Sequence, residues 1–160
     1  MALEMLVVGM MLMSLFALVL NLAATGVLLG KGRRAVDSAL KNALKVSYTV
    51  GTDGKVTIDQ AQLTAELRQL LADDLNLDPG SLTPKQSPSL IQSVRIQSVT
   101  VYNPVPTPFT DSHGSRIRMP TVTADVSLSY ILPFNAAGGA TGGGRSITYH
   151  SVAELWVHTR

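Results

Sequence analysis

Cysteine is absent from this chain of 160 residues. Its absence excludes disulfide bonds, structural zinc fingers, iron–sulfur clusters and haem attached through a C-x-x-C-H motif. Aromatic residues make up only 5% of the chain, and the long first helix predicted below has just Phe16 and Tyr48, so a stacked aromatic path along it is excluded. The net charge is +2, with much of the basic excess at residues 31–34. The sequence therefore has no extended basic stripe of the kind that would indicate a specific nucleic-acid partner.

Sequence motifs of enzymes are missing as well. There is no G-x-S-x-G and no H-E-x-x-H, and the glycine-rich residues 136–144 lack the lysine and the following helix of a phosphate-binding loop. His150, Glu154 and His158 share one face of a predicted strand. His150 and His158 lie about 27 Å apart in such a strand, too far to share a metal ion, and His113 falls in a loop. We predict a solvated strand face, no metal, no cofactor and no enzymatic activity.

One cluster suits calcium by its chemistry, since Asp73, Asp74, Asn76 and Asp78 offer alternating oxygen ligands. The twelve-residue calcium loop is not completed, because no glutamate stands at its closing position and Pro79 interrupts the segment. We therefore predict a helix end with Asx-type turns in preference to a calcium site.

What the sequence does contain is an almost unbroken apolar run over its first thirty residues, with one acid, Glu4, near the start. Between Met5 and Gly30 the clearly polar side chains are Ser14, Asn21 and Thr25. As a helix the run is about 38 Å long, enough to cross the ~30 Å hydrocarbon core of a bilayer. A helix surrounded by water is excluded.

Two ordinary interpretations of the run are a signal peptide and a membrane anchor. A signal peptide has a basic start and an apolar stretch of about 7–15 residues, and neither feature is found here. A plain anchor is compatible with the run, and Lys31, Arg33 and Arg34 then predict a cytoplasmic C-terminal domain. Glu4 has two interpretations of its own: placement at the membrane edge, where charges reach water, or a functional ion pair.

The helix is predicted to continue beyond the apolar run. No proline precedes Pro79, so we expect Gly26, Gly30 and Gly32 to bend the helix without ending it. One face of the continuation carries apolar residues at helical spacing: Val36, Ala39, Leu40, Ala43 and Leu44. The predicted parts of the chain are an apolar helix at 1–32, its amphipathic continuation at 33–48 and a globular head at 49–160.

The head begins with a predicted hairpin and a short helix. Residues 48–50 and 55–58 flank Thr-Asp-Gly, a sequence that favours hairpin turns. Asp59 is predicted to cap the second helix, and Gln62 to complete a capping box. The helix is predicted to pack on the core through a leucine stripe: Leu63, Leu67, Leu70, Leu71 and Leu75.

Beyond the proline-rich residues 78–89, apolar residues recur at every second position instead of at helical spacing. Val94 and Ile96 are followed in the opposite phase by Val99 and Val101, which predicts a bulge near residues 97–98. Two further alternating runs, at 121–132 and 147–158, also have one apolar face. We predict a one-sided antiparallel sheet covered by the amphipathic half of the long helix. The predicted fold class is α+β, a long helix packed on a small antiparallel sheet with one additional short helix.

This organisation resembles that of a type IV pilin-like subunit, with a glutamate near the start of an apolar, then amphipathic, first helix. Within that superfamily the chain is similar to TadE-like pseudopilins of the tight-adherence system. The similarity rests on A-V-D-S-A-L-K-N-A-L-K at Ala35–Lys45 and on strands ending in aromatic-plus-proline turns. These turns are V-T-V-Y-N-P at Val99–Pro104 and L-S-Y-I-L-P-F at Leu128–Phe134.

The resemblance implies processing and an outward topology. Precursors of this superfamily begin with a short basic leader that a prepilin peptidase removes after a glycine, so the sequence is expected to be a mature form that begins at Met1. The glutamate of the family usually lies one residue further from the mature N-terminus than Glu4 does. With a leader removed, the positive-inside argument from residues 31–34 no longer applies, and the head is expected outside the cell.

The resemblance also implies a function, that of a structural subunit of an extracellular pilus-like filament. The subunit would be held in the cytoplasmic membrane until pilus assembly machinery builds it into the filament. The filament is expected to be a homopolymer without a cofactor. Glu4 would pair with the Met1 amine of a neighbour, because a lone buried carboxylate is costly. The expected assembly residues are Met1, Glu4, Leu6, Val7, Met10, Leu15, Phe16, Val19, Leu20 and Leu28. The alternative is a membrane-anchored extracytoplasmic binding or adhesion module that does not polymerise.

Overall fold

A computed structural model of the chain describes residues 2–52, 56–103, 109–110, 113–114, 116–117, 119–132 and 144–155. The elements follow the order α1 (Ala2–Val46), β1 (Tyr48–Val50), β2 (Val56–Ile58), α2 (Gln60–Leu75), β3 (Ile91–Tyr102), β4 (Phe109–Thr110), β5 (Arg116–Ile117), β6 (Thr121–Tyr130) and β7 (Arg145–Glu154). The predicted α+β class is confirmed, with a long helix, a short helix and antiparallel strand pairs.

Helix α1 is a single helix of 45 residues that passes through its glycines without ending. The residues of its predicted apolar face are all buried: Val36, Ala39, Leu40, Ala43 and Leu44. Together with α2 and the strands they form one hydrophobic core. The amphipathic half of α1 therefore covers the sheet, as predicted, and in the structure it forms part of the head together with residues 49–160.

Gly32 marks the closest approach of α1 to the sheet. A Cβ at this position would come within 3.0 Å of Oη of Tyr149 and within 3.2 Å of Cδ1 of Leu128. Tyr149 also donates a hydrogen bond from Oη to the backbone oxygen of Leu29 at 3.1 Å. Burial raises the pKa of Tyr149 above its ordinary value of 10.0, so this hydroxyl remains a donor at neutral pH. Glycine at position 32 thus serves close packing between helix and sheet.

Alanine at position 32 is expected to lower the free energy of unfolding by about 1–2 kcal/mol, because Tyr149 and Leu128 must move to admit the Cβ. Alanine at position 30 is the matched control, since its Cβ would meet nothing nearer than Nη2 of Arg34 at 3.7 Å. There the better helix propensity of alanine is expected to raise stability by up to ~1 kcal/mol. Urea unfolding in nonionic detergent measures both changes. Equal stabilisation by the two variants would contradict the close packing at Gly32.

The predicted hairpin is confirmed, with Tyr48 of β1 paired to Ile58 of β2, although its Asp53–Gly54 turn lies outside the described residues. Asp59 caps α2 by accepting hydrogen bonds from the backbone nitrogens of Ala61 and Gln62 at 2.9 and 3.2 Å. The side chain of Gln62 does not complete the predicted capping box. It donates to the backbone oxygen of Val46 at 3.1 Å and so ties α2 to the end of α1.

Helix α2 packs as its leucine pattern predicts. Leu70 of the predicted stripe is partly buried, and the other four leucines are fully or almost fully buried: Leu63, Leu67, Leu71 and Leu75. Because these side chains join the cluster formed by α1 and the sheet, α2 helps to hold the amphipathic half of α1 in the head.

Strands β3, β6 and β7 form an antiparallel sheet in that order. The predicted bulge is confirmed in β3, where Ile96 pairs with Val126 and Ser98 pairs with Asp125, leaving Gln97 as the extra residue. Gln97 and Ser98 both bond to side chains on the polar face of β6. The central strand buries its predicted apolar face: Val122, Ala124, Val126, Leu128 and Tyr130.

The acidic segment after α2 forms the predicted turns. Asn76 ends the helix in the left-handed region, with φ of 55°. One carboxylate oxygen of Asp78 accepts hydrogen bonds from the backbone nitrogens of Gly80 and Ser81 at 2.9 and 2.8 Å. The backbone bond from Ser81 is the main cause that lowers the pKa of Asp78 below its ordinary value of 3.8. This carboxylate is thus engaged in an Asx-type turn.

Candidate functional site

The first half of α1 lies outside the core and exposes a long apolar surface. Fourteen large apolar side chains between Met5 and Val27 are 45–76% exposed. From Leu28 onward the helix enters the head, where Leu28 itself is only 9% exposed. We call the segment from residue 4 to residue 27 the apolar half of α1.

Most of the predicted assembly residues lie on this apolar half. Six are exposed there: Leu6, Val7, Met10, Leu15, Phe16 and Val19. Glu4 is exposed, Leu20 is partly buried and Met1 lies outside the described residues. Leu28 differs from the rest because it belongs to the core of its own head. Its burial there removes it from the exposed apolar surface of α1.

The apolar half of α1 is also compatible with insertion into a membrane. Among the described residues, α1 is the helix that is long and apolar enough to cross a bilayer, and its most apolar stretch is not buried in the head. By length and composition, a permanent membrane anchor and a segment that later leaves the membrane both meet this criterion.

A second candidate site lies on the polar face of the sheet, where β6 meets β7. Asp125 and His150 are paired across these strands, and Nδ1 of His150 lies 2.8 Å from Oδ1 of Asp125. His113, between β4 and β5, places Nε2 at 3.9 Å from the same oxygen. The two imidazole rings stack with their centroids 3.9 Å apart. Two imidazoles thus converge on one carboxylate, and we call these three residues the histidine–aspartate cluster.

The carboxylate of the cluster is also held from its other side. Ser98 donates a hydrogen bond from Oγ to Oδ2 of Asp125 at 2.7 Å. Burial by itself raises the pKa of Asp125, but the hydrogen bonds from Ser98 and His150 and the charges of the two imidazoles outweigh it. The pKa therefore lies below its ordinary value of 3.8. Asp125 is ionised at neutral pH and its orientation is fixed.

Exposure differs across the cluster. The side chains of Asp125 and His150 are 22% and 24% exposed, whereas that of His113 is 48% exposed. The structure thus corrects the expected solvated face at His150, which is covered in part by His113. The predicted partner on the same strand face, His158, lies outside the described residues.

The sequence does not predict the contacts of this cluster. Asp125 and His150 were both expected on polar strand faces, but a long glycine-rich sequence separates β6 from β7 and leaves their register undefined. The position of His113 depends on the path of a loop that carries no periodic pattern. The nearest sequence signal is the bulge at residues 97–98, which brings Ser98 to the polar face beside Asp125.

No family model, no curated protein and no solved structure matches this chain.

Proposed function

We propose that the protein is a structural subunit of an extracellular pilus-like filament, assembled by packing the apolar half of α1 against the same segment of neighbouring subunits. The observation that carries this proposal is the exposure of fourteen large apolar side chains on a helix whose other half is buried in the head. Lipid or protein must cover such a surface.

The energy available from covering this surface is large. At about 1.5 kcal/mol for each of the fourteen exposed side chains, burial contributes about 20 kcal/mol before entropy losses. Because a bilayer covers the same surface, the subunit is stable in the cytoplasmic membrane until other helices replace the lipid. The resemblance to TadE-like pseudopilins implies this order of events, and with it a prepilin peptidase and pilus assembly machinery.

The continuity of α1 favours a filament subunit over a tethered module. The helix runs unbroken from the apolar half into the head. The side chain of Tyr149 packs closely against the helix at Gly32, soon after the apolar half ends. A head held at a constant angle to its helix can repeat in a regular lattice. A module that searches for ligands at a membrane surface gains reach from a flexible linker.

The second candidate function is a membrane-anchored extracytoplasmic binding or adhesion module that does not polymerise. Its support is the length and apolar character of α1, which suffice to cross a bilayer. This candidate requires the apolar half to remain in lipid throughout the life of the protein.

Electron microscopy of material sheared from the cell surface distinguishes the two candidates. For a filament subunit, we expect filaments in the sheared fraction that bind an antibody raised against the head. The purified protein should form the same filaments when detergent is removed. If the protein stays wholly in the membrane fraction and the sheared fraction holds no labelled filaments, the anchored module is the better description.

A further inference from the structure

The histidine–aspartate cluster has the composition and spacing of a metal site. We propose that His113, Asp125 and His150 bind a divalent transition-metal ion of the zinc type. One ligand atom from each residue lies within 4.8 Å of the other two. The proposal departs from the sequence-based expectation of no metal, and it does not depend on whether the protein forms filaments.

The distances between the ligand atoms fit a single ion. Tetrahedral zinc with bonds of about 2.1 Å to nitrogen and oxygen separates its ligand atoms by about 3.4 Å. Oδ1 of Asp125 lies 2.8 Å from Nδ1 of His150 and 3.9 Å from Nε2 of His113. One distance is shorter and the other longer than the separation expected around zinc. Rotation of each imidazole ring about χ2, which is a broad torsion, changes both separations.

The surroundings of Asp125 support a ligand role. Carboxylates that bind metals are themselves hydrogen-bonded by a second shell of groups, which fixes their orientation. Ser98 supplies this bond to Oδ2 and leaves Oδ1 directed at both histidines. Because Ser98, Asp125 and His150 are on three adjacent strands, the sheet holds these groups in register.

The ligand set predicts which ions bind. Two imidazoles and one carboxylate suit Zn²⁺ and its neighbours in the first transition row, whereas Mg²⁺ and Ca²⁺ prefer oxygen ligands. Three protein ligands leave a fourth position for water, on the side where His113 is about half exposed. Since His113 lies between β4 and β5, a bound ion would attach that part of the chain to the three-stranded sheet.

Equilibrium dialysis of the full chain, in nonionic detergent and without a histidine tag, tests the proposal with Zn²⁺ alone as the probe. We expect one ion per chain, and no comparable binding of Mg²⁺. His113→Gln, at an exposed position that is not part of a strand, should weaken binding by about tenfold or more. Ser98→Ala should weaken it by about tenfold through the carboxylate it orients.

Glu154→Gln is the matched control, because it removes an exposed carboxylate at the end of β7 that is not a member of the cluster, and binding should be unchanged. Urea unfolding gives an independent measurement, since Zn²⁺ should raise the midpoint of the wild type and not that of His113→Gln. Stoichiometry well below one, or equal affinity in the wild type and His113→Gln, would overturn the proposal. Asp125→Asn and His150→Gln remove the other two proposed ligands. Each of these variants that folds should also bind Zn²⁺ more weakly, by about tenfold or more.

Discussion

Glu4→Ala is expected to leave the subunit folded and in the membrane while filament yield falls by about tenfold or more. In the proposed filament Glu4 lies among apolar helices and pairs with a cation of a neighbouring subunit, as the resemblance to pilin-like subunits implies. Removing the carboxylate leaves a buried cation without its partner, at a cost of several kcal/mol. Each 1.4 kcal/mol lost per contact weakens association about tenfold.

Glu4→Gln makes this prediction sharper, because glutamine keeps the size and hydrogen-bonding capacity of the side chain and loses only its charge. It should reduce filament yield nearly as much as alanine does. Asp74→Asn removes a charge from an exposed position on α2 and should leave filament yield unchanged. The measurement is the ratio of subunit in the sheared filament fraction to subunit in the membrane fraction. Normal filaments from both Glu4 variants would mean that Glu4 only lies at the membrane edge.

Leu40→Ala is expected to lower the free energy of unfolding of the head by about 2–5 kcal/mol, because it leaves a cavity where α1 meets the core. Leu40 has no exposed surface. Leu15→Ala makes the same chemical change on the same helix, at a side chain that is 59% exposed. It should change the stability of the head by less than about 0.5 kcal/mol, yet reduce the yield of filaments.

The two variants therefore separate the two halves of α1. Urea unfolding in nonionic detergent, followed through hydrogen exchange of the β6 amides, measures the stability of the head, and electron microscopy measures assembly. Leu12→Ala serves as a second exposed position in the apolar half. Comparable loss of head stability from Leu15→Ala and Leu40→Ala would contradict the division of the helix into an outer and a buried half.

Periodicity in the sequence predicted the two helices and the three strands of the larger sheet, whereas the two-residue strands β4 and β5 were not predicted. The apolar face from Val36 to Leu44 predicted burial of one half of α1, and the phase change between Ile96 and Val99 predicted the bulge in β3. Both predictions rest on local geometry, because side chains repeat every 3.6 residues in a helix and every two in a strand. Local geometry is encoded in neighbouring residues and can be recognised without the tertiary structure.

The contacts that the sequence did not predict join residues far apart in the chain. Gly32 suggested a bend, and its close packing against Tyr149 becomes visible only when the helix lies on the sheet. Gln62 fits a capping box, yet its amide bonds to the end of another helix. The pairing of Asp125 with His150 depends on the register between two strands that are far apart in the sequence, which no local pattern specifies.

The unbroken course of α1 past Gly32 has a mechanical consequence for the proposed filament. A pulling force on a head passes into the helix axis with no flexible segment to lengthen first, so the load reaches the packed apolar halves directly. The same stiffness means that the packing of the helices sets the orientation of the heads. A helix that rotates about its own axis turns its head through the same angle. Because equivalent helices pack in the same way in the filament core, all heads present the same surface to the surroundings.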